Sequence, residues 1–194
     1  MSLLREEKEF GLVCGIDEAG RGPLAGPVYA AAVILPDQFD LTGLNDSKKL
    51  SEKKREALYE RICREALFWH VAFADAREID EINILQATFL AMNRAFDGLA
   101  VKPDFAFVDG NQDPHLPVPC RTVVGGDGKY ACIAAASILA KVSRDRLMYE
   151  YAETYPQYAF ERHKGYGTKL HYECLREHGP SPIHRLSFLR SMKS

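Results

Sequence analysis

Short apolar runs bounded by glycine and proline alternate along the chain with longer segments that have helical periodicity. The short runs predict five strands, at about residues 11–17, 27–35, 68–74, 105–108 and 120–124. Apolar residues three and four positions apart predict four helices, at about residues 51–66, 80–97, 130–153 and 168–177. Ser51 is placed to cap the first helix, and Gly179-Pro180 follows the last one.

The order of these elements indicates the fold class. Strands come first and then alternate with helices, which is typical of an α/β fold with a mixed sheet flanked by helices. The chain has 194 residues, of which 46% are hydrophobic, and it shows no repeat, linker or low-complexity segment. We therefore expect one domain over residues 1–194, ending in a small helical segment from about residue 160.

Cysteine usage and the absence of long apolar stretches predict where the protein resides. The five cysteines are an odd number, and no two of them form a C-x-x-C pair. This usage predicts reduced thiols in a cytosolic protein. No leader opens the chain, and no apolar stretch reaches the roughly 20 residues that span a bilayer. We expect a cytoplasmic monomer without a membrane partner.

Net charge hides two basic regions. The chain carries a net charge of -2, yet residues 161–194 hold seven Lys or Arg against three Glu, together with four histidines. A second basic run reads Lys48-Lys49 and then Lys53-Lys54-Arg55. Such regions hold nucleic-acid phosphates or are simply solvated faces, and charge alone leaves both interpretations open.

Acidic side chains stand at the ends of predicted strands. Asp17 and Asp109 close apolar runs, Glu18 follows Asp17, and Asp127 lies in a glycine-rich turn. Strand ends of this kind are where ligands gather in α/β sheets. Four carboxylates repel one another, so the set predicts a site for two divalent cations. Alternation along a strand separates Asp17 from Glu18 unless the chain leaves strand geometry at Glu18.

Single residues in this set have ordinary structural explanations as well. Asp127 could cap the long helix, and Asp109-Gly110 is a common turn. Lys141 and Asp145 have the spacing of a helical ion pair.

Two other motifs suggest ligands and are less convincing. Residues 20–25 fit a dinucleotide fingerprint with Asp40 downstream, but the following segment between Pro27 and Pro36 is a strand and not the required helix. His171, Cys174 and His178 could share one helix face as zinc ligands. We favour surface histidines beside an inward-facing cysteine.

Six motifs in order resemble the type 2 ribonuclease H family, ribonuclease HII. They are residues 15–23 (GIDEAGRGP), 45–50 (NDSKKL), 82–88 (INILQAT), 108–110 (VDG), Asp127 with 135–142 (AASILAKV), and 163–168 (HKGYGT). Together they cover about residues 11–190.

The resemblance implies a ribonuclease H-like fold. It also implies an endonuclease that hydrolyses the RNA strand of RNA–DNA hybrids and nicks 5′ to single ribonucleotides embedded in duplex DNA. The catalytic, metal-binding quartet would be Asp17, Glu18, Asp109 and Asp127, holding two Mg²⁺ or Mn²⁺ ions.

The same resemblance assigns substrate contacts. The turn Gly20-Arg21-Gly22 would detect the ribose 2′-hydroxyl, and Tyr166 would lie against the sugar beside the RNA–DNA junction. Backbone phosphates would meet Asn45, Lys48, Asn83 and Gln86, and the segment from about residue 160 to 194 would bind substrate irrespective of sequence.

Two other functions remain open from sequence. One is a different two-metal nuclease or strand transferase of the same fold, which would also cut all-DNA duplexes. The other is a non-catalytic nucleic-acid-binding module, in which replacing Asp17 would leave binding intact.

Overall fold

The computed structural model describes residues 3–5, 10–45 and 47–189. Its strands are β1 (Val13–Ala19), β2 (Val28–Ile34), β3 (Phe68–Ala74), β4 (Phe105–Asp109) and β5 (Cys120–Val123). Its α-helices are α1 (Glu52–Glu65), α2 (Ala76–Asp97), α3 (Ala131–Thr154), α4 (Phe160–His163) and α5 (Lys169–His178). Short 3-10 turns include Ser47–Lys49 and Gly126–Gly128.

The strands form one mixed sheet in the order β3-β2-β1-β4-β5. Strand β2 pairs antiparallel with both β1 and β3, whereas β4 pairs parallel with both β1 and β5. Apolar residues of α2 bury one sheet face, and those of α1 and α3 bury the other. The predicted α/β class with a mixed sheet flanked by helices is therefore confirmed.

Gly15 brings helix α3 into direct contact with the central strand. A Cβ atom at this position would lie 2.2 Å from the carbonyl carbon of Cys132 and 2.4 Å from the nitrogen of Ile133. Residues 134–136 of α3 are all alanine and fully buried, so the helix backbone lies directly on β1. Because of this close approach, Ser137, one position further along α3, lies beside Asp17.

Most predicted elements agree with the structure. Ser51 caps α1 by accepting a hydrogen bond from the Lys54 N–H, and Gly179 ends α5. Helix α2 begins at Ala76 and not at residue 80, because Asp75 and Glu78 form a capping box. The short helix α4 was not predicted, since four residues are too few for a periodic signal.

All five cysteines are free thiols. Within residues 3–5, 10–45 and 47–189, no helix combines the length and apolar character needed to cross a membrane.

Candidate active site

Two carboxylates occupy equivalent positions on adjacent parallel strands. Ile16 of β1 pairs with Val108 of β4, so the next residues, Asp17 and Asp109, are neighbours across the ladder. Asp17 Oδ1 accepts the Glu18 N–H at 2.7 Å, and Asp109 Oδ1 accepts the Gly126 N–H at 2.6 Å. The second bond fixes the start of the Gly126–Gly128 turn, which carries Asp127. Parallel pairing and this turn therefore bring Asp17, Asp109 and the Asp127 segment to one edge of the sheet.

Glu18 reaches the site from within the strand. Strand β1 continues to Ala19, so the chain does not leave strand geometry at Glu18, the condition under which Asp17 and Glu18 could share one face. Asp17 faces α3, where Ser137 hydrogen-bonds to its side chain. Glu18 points to the opposite face and lines a small cleft with residues of α2. The two acidic side chains therefore flank the end of β1.

Burial and repulsion between neighbouring carboxylates disfavour the charged forms of Asp17 and Glu18. Burial raises the pKa of Asp17 well above its usual range, and the charges of Glu18 and Asp109 raise it further. Burial also raises the pKa of Glu18, against the opposing charges of Arg21 and Lys48. Arg21 Nη1 lies 3.7 Å from Glu18 Oε1.

This donor set fits a hard divalent cation, because carboxylate oxygens are the ligands such ions prefer, and the positive charge would offset the repulsion. Within the part of the chain that the structure describes, no three Asp, Glu, Cys or His side chains converge as a ready-made ligand set. Repulsion between unit charges, about 4 kcal/mol at 4 Å in an effective dielectric of 20, opposes a closer approach.

Two clefts meet at Glu18 and Arg21. The larger has a volume of about 230 Å³, and the predicted residues on its wall are Glu18, Gly20, Arg21, Gly22, Lys48 and Tyr166. Glu18 and Arg21 form a ridge between the two clefts. The smaller cleft, of about 50 Å³, is lined on its other sides by Asp109 and by Thr88 and Met92 of α2. The fold thus gathers residues from all six sequence motifs around one ridge, since Ser137 and Lys141 of the fifth motif also line the larger cleft.

Residues 20–27, here called the glycine loop, connect β1 to β2. Gly20 has φ +94°, and a Cβ there would lie 2.1 Å from Nε of the buried Arg144. Gly22 is exposed, and a Cβ there would meet only Cε1 of Tyr166, at 3.6 Å. The fold therefore requires glycine at position 20, whereas the missing side chain of Gly22 leaves the larger cleft open at that point.

Tyr166 is 44% exposed on the far wall of this cleft. Its N–H donates to the His163 carbonyl at 2.9 Å, and its own carbonyl lies 2.9 Å from His171 Nδ1. The Arg144 guanidinium lies 6.0 Å from the centre of its ring. The ring is therefore held at its base and open on its outer face.

The four residues assigned to phosphates are all exposed: Asn45, Lys48, Asn83 and Gln86. Asn83 also has a local role, because it adopts φ +68° inside α2 and its Oδ1 accepts the N–H groups of Leu85 and Gln86. Arg190 and Lys193 of the basic C-terminal region, and Asp46 of the second motif, lie outside the described residues.

His171 is buried, so its predicted place on the surface is wrong. Its Nε2 lies 3.0 Å from Nε2 of the buried His184, whose Nδ1 accepts the Ser181 N–H at 2.9 Å. His184 therefore carries its proton on Nε2 and donates it to His171, which donates from Nδ1 to the Tyr166 carbonyl. A chain of neutral imidazoles thus supports Tyr166, while Cys174 is half-buried and His178 is exposed.

We expect this histidine chain to make the fold sensitive to acid. Burial lowers the pKa of His171 and of His184 to about 4 each, whereas unfolded histidines titrate near 6.5. Between pH 6.5 and 4 these two histidines are protonated in the unfolded chain but neutral in the folded chain. The free energy of unfolding therefore falls as the pH falls, by up to about 2 kcal/mol per histidine at pH 5. Thermal unfolding at pH 7 and pH 5 measures the loss, and H184Q reduces it. Equal pH dependence in wild type and H184Q contradicts this account.

Sequence reasoning missed two residues that shape the site. Arg144 and Arg185 are almost fully buried, and both donate to backbone carbonyls of the glycine loop. Arg144 lies inside the predicted helix at residues 130–153 and Arg185 in the basic region after residue 160, and neither position in the sequence indicates a contact with the loop. The Lys141–Asp145 ion pair was predicted, and its atoms lie 2.6 Å apart.

The chain is similar to known proteins over most of its length. The model of the ribonuclease HII family matches residues 14–191. Ribonuclease HII of Idiomarina loihiensis is 59% identical over 177 residues, covering 91% of this chain and 95% of that protein. The ribonuclease H2 of Pyrococcus horikoshii is 27% identical with a TM-score of 0.77, covering 93% and 95% of the two chains.

A structure of Bst-RNase HIII in complex with Mn²⁺ is 17% identical and shares the fold, with a TM-score of 0.73 over 94% of this chain and 68% of that one. The family match spans nearly the whole sheet and the glycine loop. It also spans the acidic edge of the sheet, the name used here for Asp17, Glu18, Asp109 and Asp127. The chain therefore belongs to the ribonuclease HII family.

Proposed function

We propose that this protein hydrolyses the RNA strand of RNA–DNA hybrids and nicks duplex DNA on the 5′ side of single embedded ribonucleotides. One observation carries the proposal: the acidic edge of the sheet and the glycine loop meet at a single ridge, with Tyr166 across the larger cleft. The carboxylates that would cut the phosphodiester and the glycine loop that would inspect the neighbouring sugar thus lie next to each other. Membership of the ribonuclease HII family supports the same activity.

Asp17, Glu18, Asp109 and Asp127 would hold two divalent cations, Mg²⁺ or Mn²⁺. When bound, these ions would supply activation of a water and stabilisation of the charge on the leaving 3′-oxygen. The protein's own part is to fix its ligands: the backbone N–H of Glu18 orients Asp17, and that of Gly126 orients Asp109. Preset carboxylates reduce the reorganisation needed when substrate binds.

The glycine loop would read the sugar. A 2′-hydroxyl is the group that separates RNA from DNA at a given position, and backbone amides can bond to its oxygen only on close approach. Gly22 permits that approach because nothing but the Tyr166 ring lies near its α-carbon on the cleft side. The exposed Arg21 beside it would face a phosphate.

Sequence-independent contacts would hold the duplex. Lys48 lines the larger cleft. Asn45, Asn83 and Gln86 are exposed polar residues of the family motifs, and Leu85 and Thr88 of α2, on either side of Gln86, line the smaller cleft. Together with the basic segment after residue 160, they would contact backbone phosphates, so binding should weaken as salt rises.

The decisive experiment uses a DNA duplex with one ribonucleotide, an RNA–DNA hybrid and an all-DNA duplex of the same sequence, each with Mg²⁺ or Mn²⁺. We expect cleavage of the first two and none of the third. Cleavage of all three would indicate a general two-metal nuclease, and cleavage of none would indicate a binding module.

Tyr166 gives a separate prediction about the junction. Its ring would contact the deoxyribose that follows a single ribonucleotide, a contact that a long hybrid does not need. We expect Y166A to reduce kcat/KM about tenfold on the single-ribonucleotide duplex and much less on the hybrid, the loss of one stacking contact. Y166F keeps the ring and should behave as wild type. Similar losses for Y166A on both substrates would remove the junction role.

A further inference from the structure

Arg185 holds the backbone of the glycine loop from below. Its side chain is fully buried, and it donates three hydrogen bonds to loop carbonyls: Nη2 to Gly20 at 2.6 Å, Nη1 to Arg21 at 2.8 Å and Nε to Gly26 at 2.9 Å. These acceptors are all uncharged. Among the described residues no carboxylate forms an ion pair with this guanidinium, although the charge of Asp80 favours its charged form. A buried guanidinium of this kind is an expensive way to fill space, since an apolar side chain would avoid its desolvation.

The two strongest of these bonds fix the direction of two specific amides. No peptide bond in the described chain is cis, so each carbonyl points opposite to the N–H of the next residue. When Arg185 holds the carbonyls of Gly20 and Arg21, the N–H groups of Arg21 and Gly22 must point away from it. Both residues are exposed and line the larger cleft.

Neither amide has an acceptor in the described part of the chain. Over residues 3–5, 10–45 and 47–189, no hydrogen bond is donated by the backbone N–H of Arg21 or Gly22, whereas Leu24 and Gly26 of the same loop donate theirs to Gly165 and Ile183. The loop is thus ordered on one side and presents two parallel donors on the other.

We propose that Arg185 is the positioning residue for recognition of the 2′-hydroxyl, acting by orienting the Arg21 and Gly22 amides toward the sugar. This inference rests on the proposed function. It makes the selectivity for ribonucleotides depend on a residue that touches no substrate.

Arg144 provides a matched control. It is equally buried and donates to Ala25, Pro27 and Lys164 carbonyls, so it supports the same loop without bonding to the Gly20 or Arg21 carbonyls. Lysine cannot reproduce three divergent donors, so R185K and R144K each lose comparable bonds at comparable depth.

The first test compares duplexes that carry one ribonucleotide or one 2′-fluoro nucleotide at the same position. We expect R185K to lower kcat/KM on the ribonucleotide about thirtyfold and to leave the residual cleavage of the fluoro duplex unchanged, so that selectivity collapses. R144K should lower both equally. Unchanged selectivity in R185K overturns the positioning role while leaving the nuclease activity standing.

A second test does not depend on cleavage or on a variant that folds. In the wild type, the backbone amides of Arg21 and Gly22 should be as rigid as those of β1 in ¹⁵N relaxation. Their ¹H–¹⁵N resonances should shift when the ribonucleotide duplex is added without metal, but not when the all-DNA duplex is added. Mobile amides, or identical shifts with both duplexes, overturn the proposal, whatever the nuclease assay gives.

Discussion

Replacing Asp17 with asparagine should reduce cleavage about a thousandfold or more, and at neutral pH it should also make the protein without divalent cations more stable. Activity is lost because the proposed cation site loses one of its charges. Stability rises because Asp17 is 4% exposed and lies beside Glu18 and Asp109, whose charges oppose its own. Asparagine keeps the carbonyl oxygen that accepts the Glu18 N–H. A buried residue whose removal stabilises the fold is one retained for function.

The pH dependence identifies the cause. The pKa of Asp17 is raised on folding above the value of about 3.9 expected for an unfolded chain. Its charge therefore costs nothing at lower pH, and the cost grows as the pH rises toward the folded pKa. Thermal unfolding of wild type and D17N in chelator should show a gap that opens as the pH is raised from 3.5 to 7.

Two further measurements complete this test. Mn²⁺ should stabilise wild type more than D17N, because only the wild type retains all four carboxylates. D97N is the matched control, since Asp97 is exposed and, among the described residues, forms an ion pair with Lys102, at 3.6 Å. A D17N protein that is less stable than wild type at pH 7 would refute the electrostatic account.

Alanine at position 22 should reduce kcat/KM on the single-ribonucleotide duplex about a hundredfold and leave the melting temperature unchanged. The backbone of Gly22 is not in the left-handed region, and the new methyl group would meet only Tyr166 Cε1, at ordinary contact distance. The fold therefore tolerates it. The methyl would nevertheless project into the cleft where the sugar must approach the amides, and loss of that contact is worth about 2.7 kcal/mol.

Gly20 offers the contrasting control in the same turn. At Gly20, φ is +94° and a Cβ would lie 2.1 Å from Arg144 Nε and 2.4 Å from its Cδ, so G20A should lower stability by several kcal/mol. Thermal unfolding together with steady-state kinetics separates the two variants. A G22A protein that cleaves the ribonucleotide duplex like wild type would show that the loop does not read the sugar closely.

Local signals in the sequence predict much of this structure. Apolar runs with glycine or proline beside them place β1, β2, β4 and β5, whereas the apolar run at β3 has neither residue next to it. Asp109 falls at the end of β4 as its Asp-Gly turn predicts. The carboxylates can be recognised from sequence because acidic side chains that meet at strand ends repel one another unless they bind cations.

Features that depend on long-range contacts could not be predicted. Arg185 reads as one more basic residue in a basic segment, and only the folded chain shows it bonded to Gly20, 165 positions away. His171 reads as a surface residue because its partner, His184, lies beyond the end of the helix. The sequence left open whether the chain departs from strand geometry at Glu18, whereas β1 stays regular to Ala19 and places Asp17 and Glu18 on opposite faces of the sheet. Periodicity reports burial, and it does not report which distant group a buried polar atom meets.

The bond between Arg185 and the glycine loop has a consequence for how the protein is made. Every strand and all four carboxylates are synthesised before residue 128, so the acidic edge can assemble while the chain is still growing. The turn at residues 20–22 cannot be fixed until Arg185, which is synthesised 165 positions after Gly20, has been inserted beneath it. If Arg185 sets the turn as proposed, selectivity is acquired later than the four carboxylates, and a chain interrupted before residue 185 would hold those carboxylates without the bonds that orient the turn.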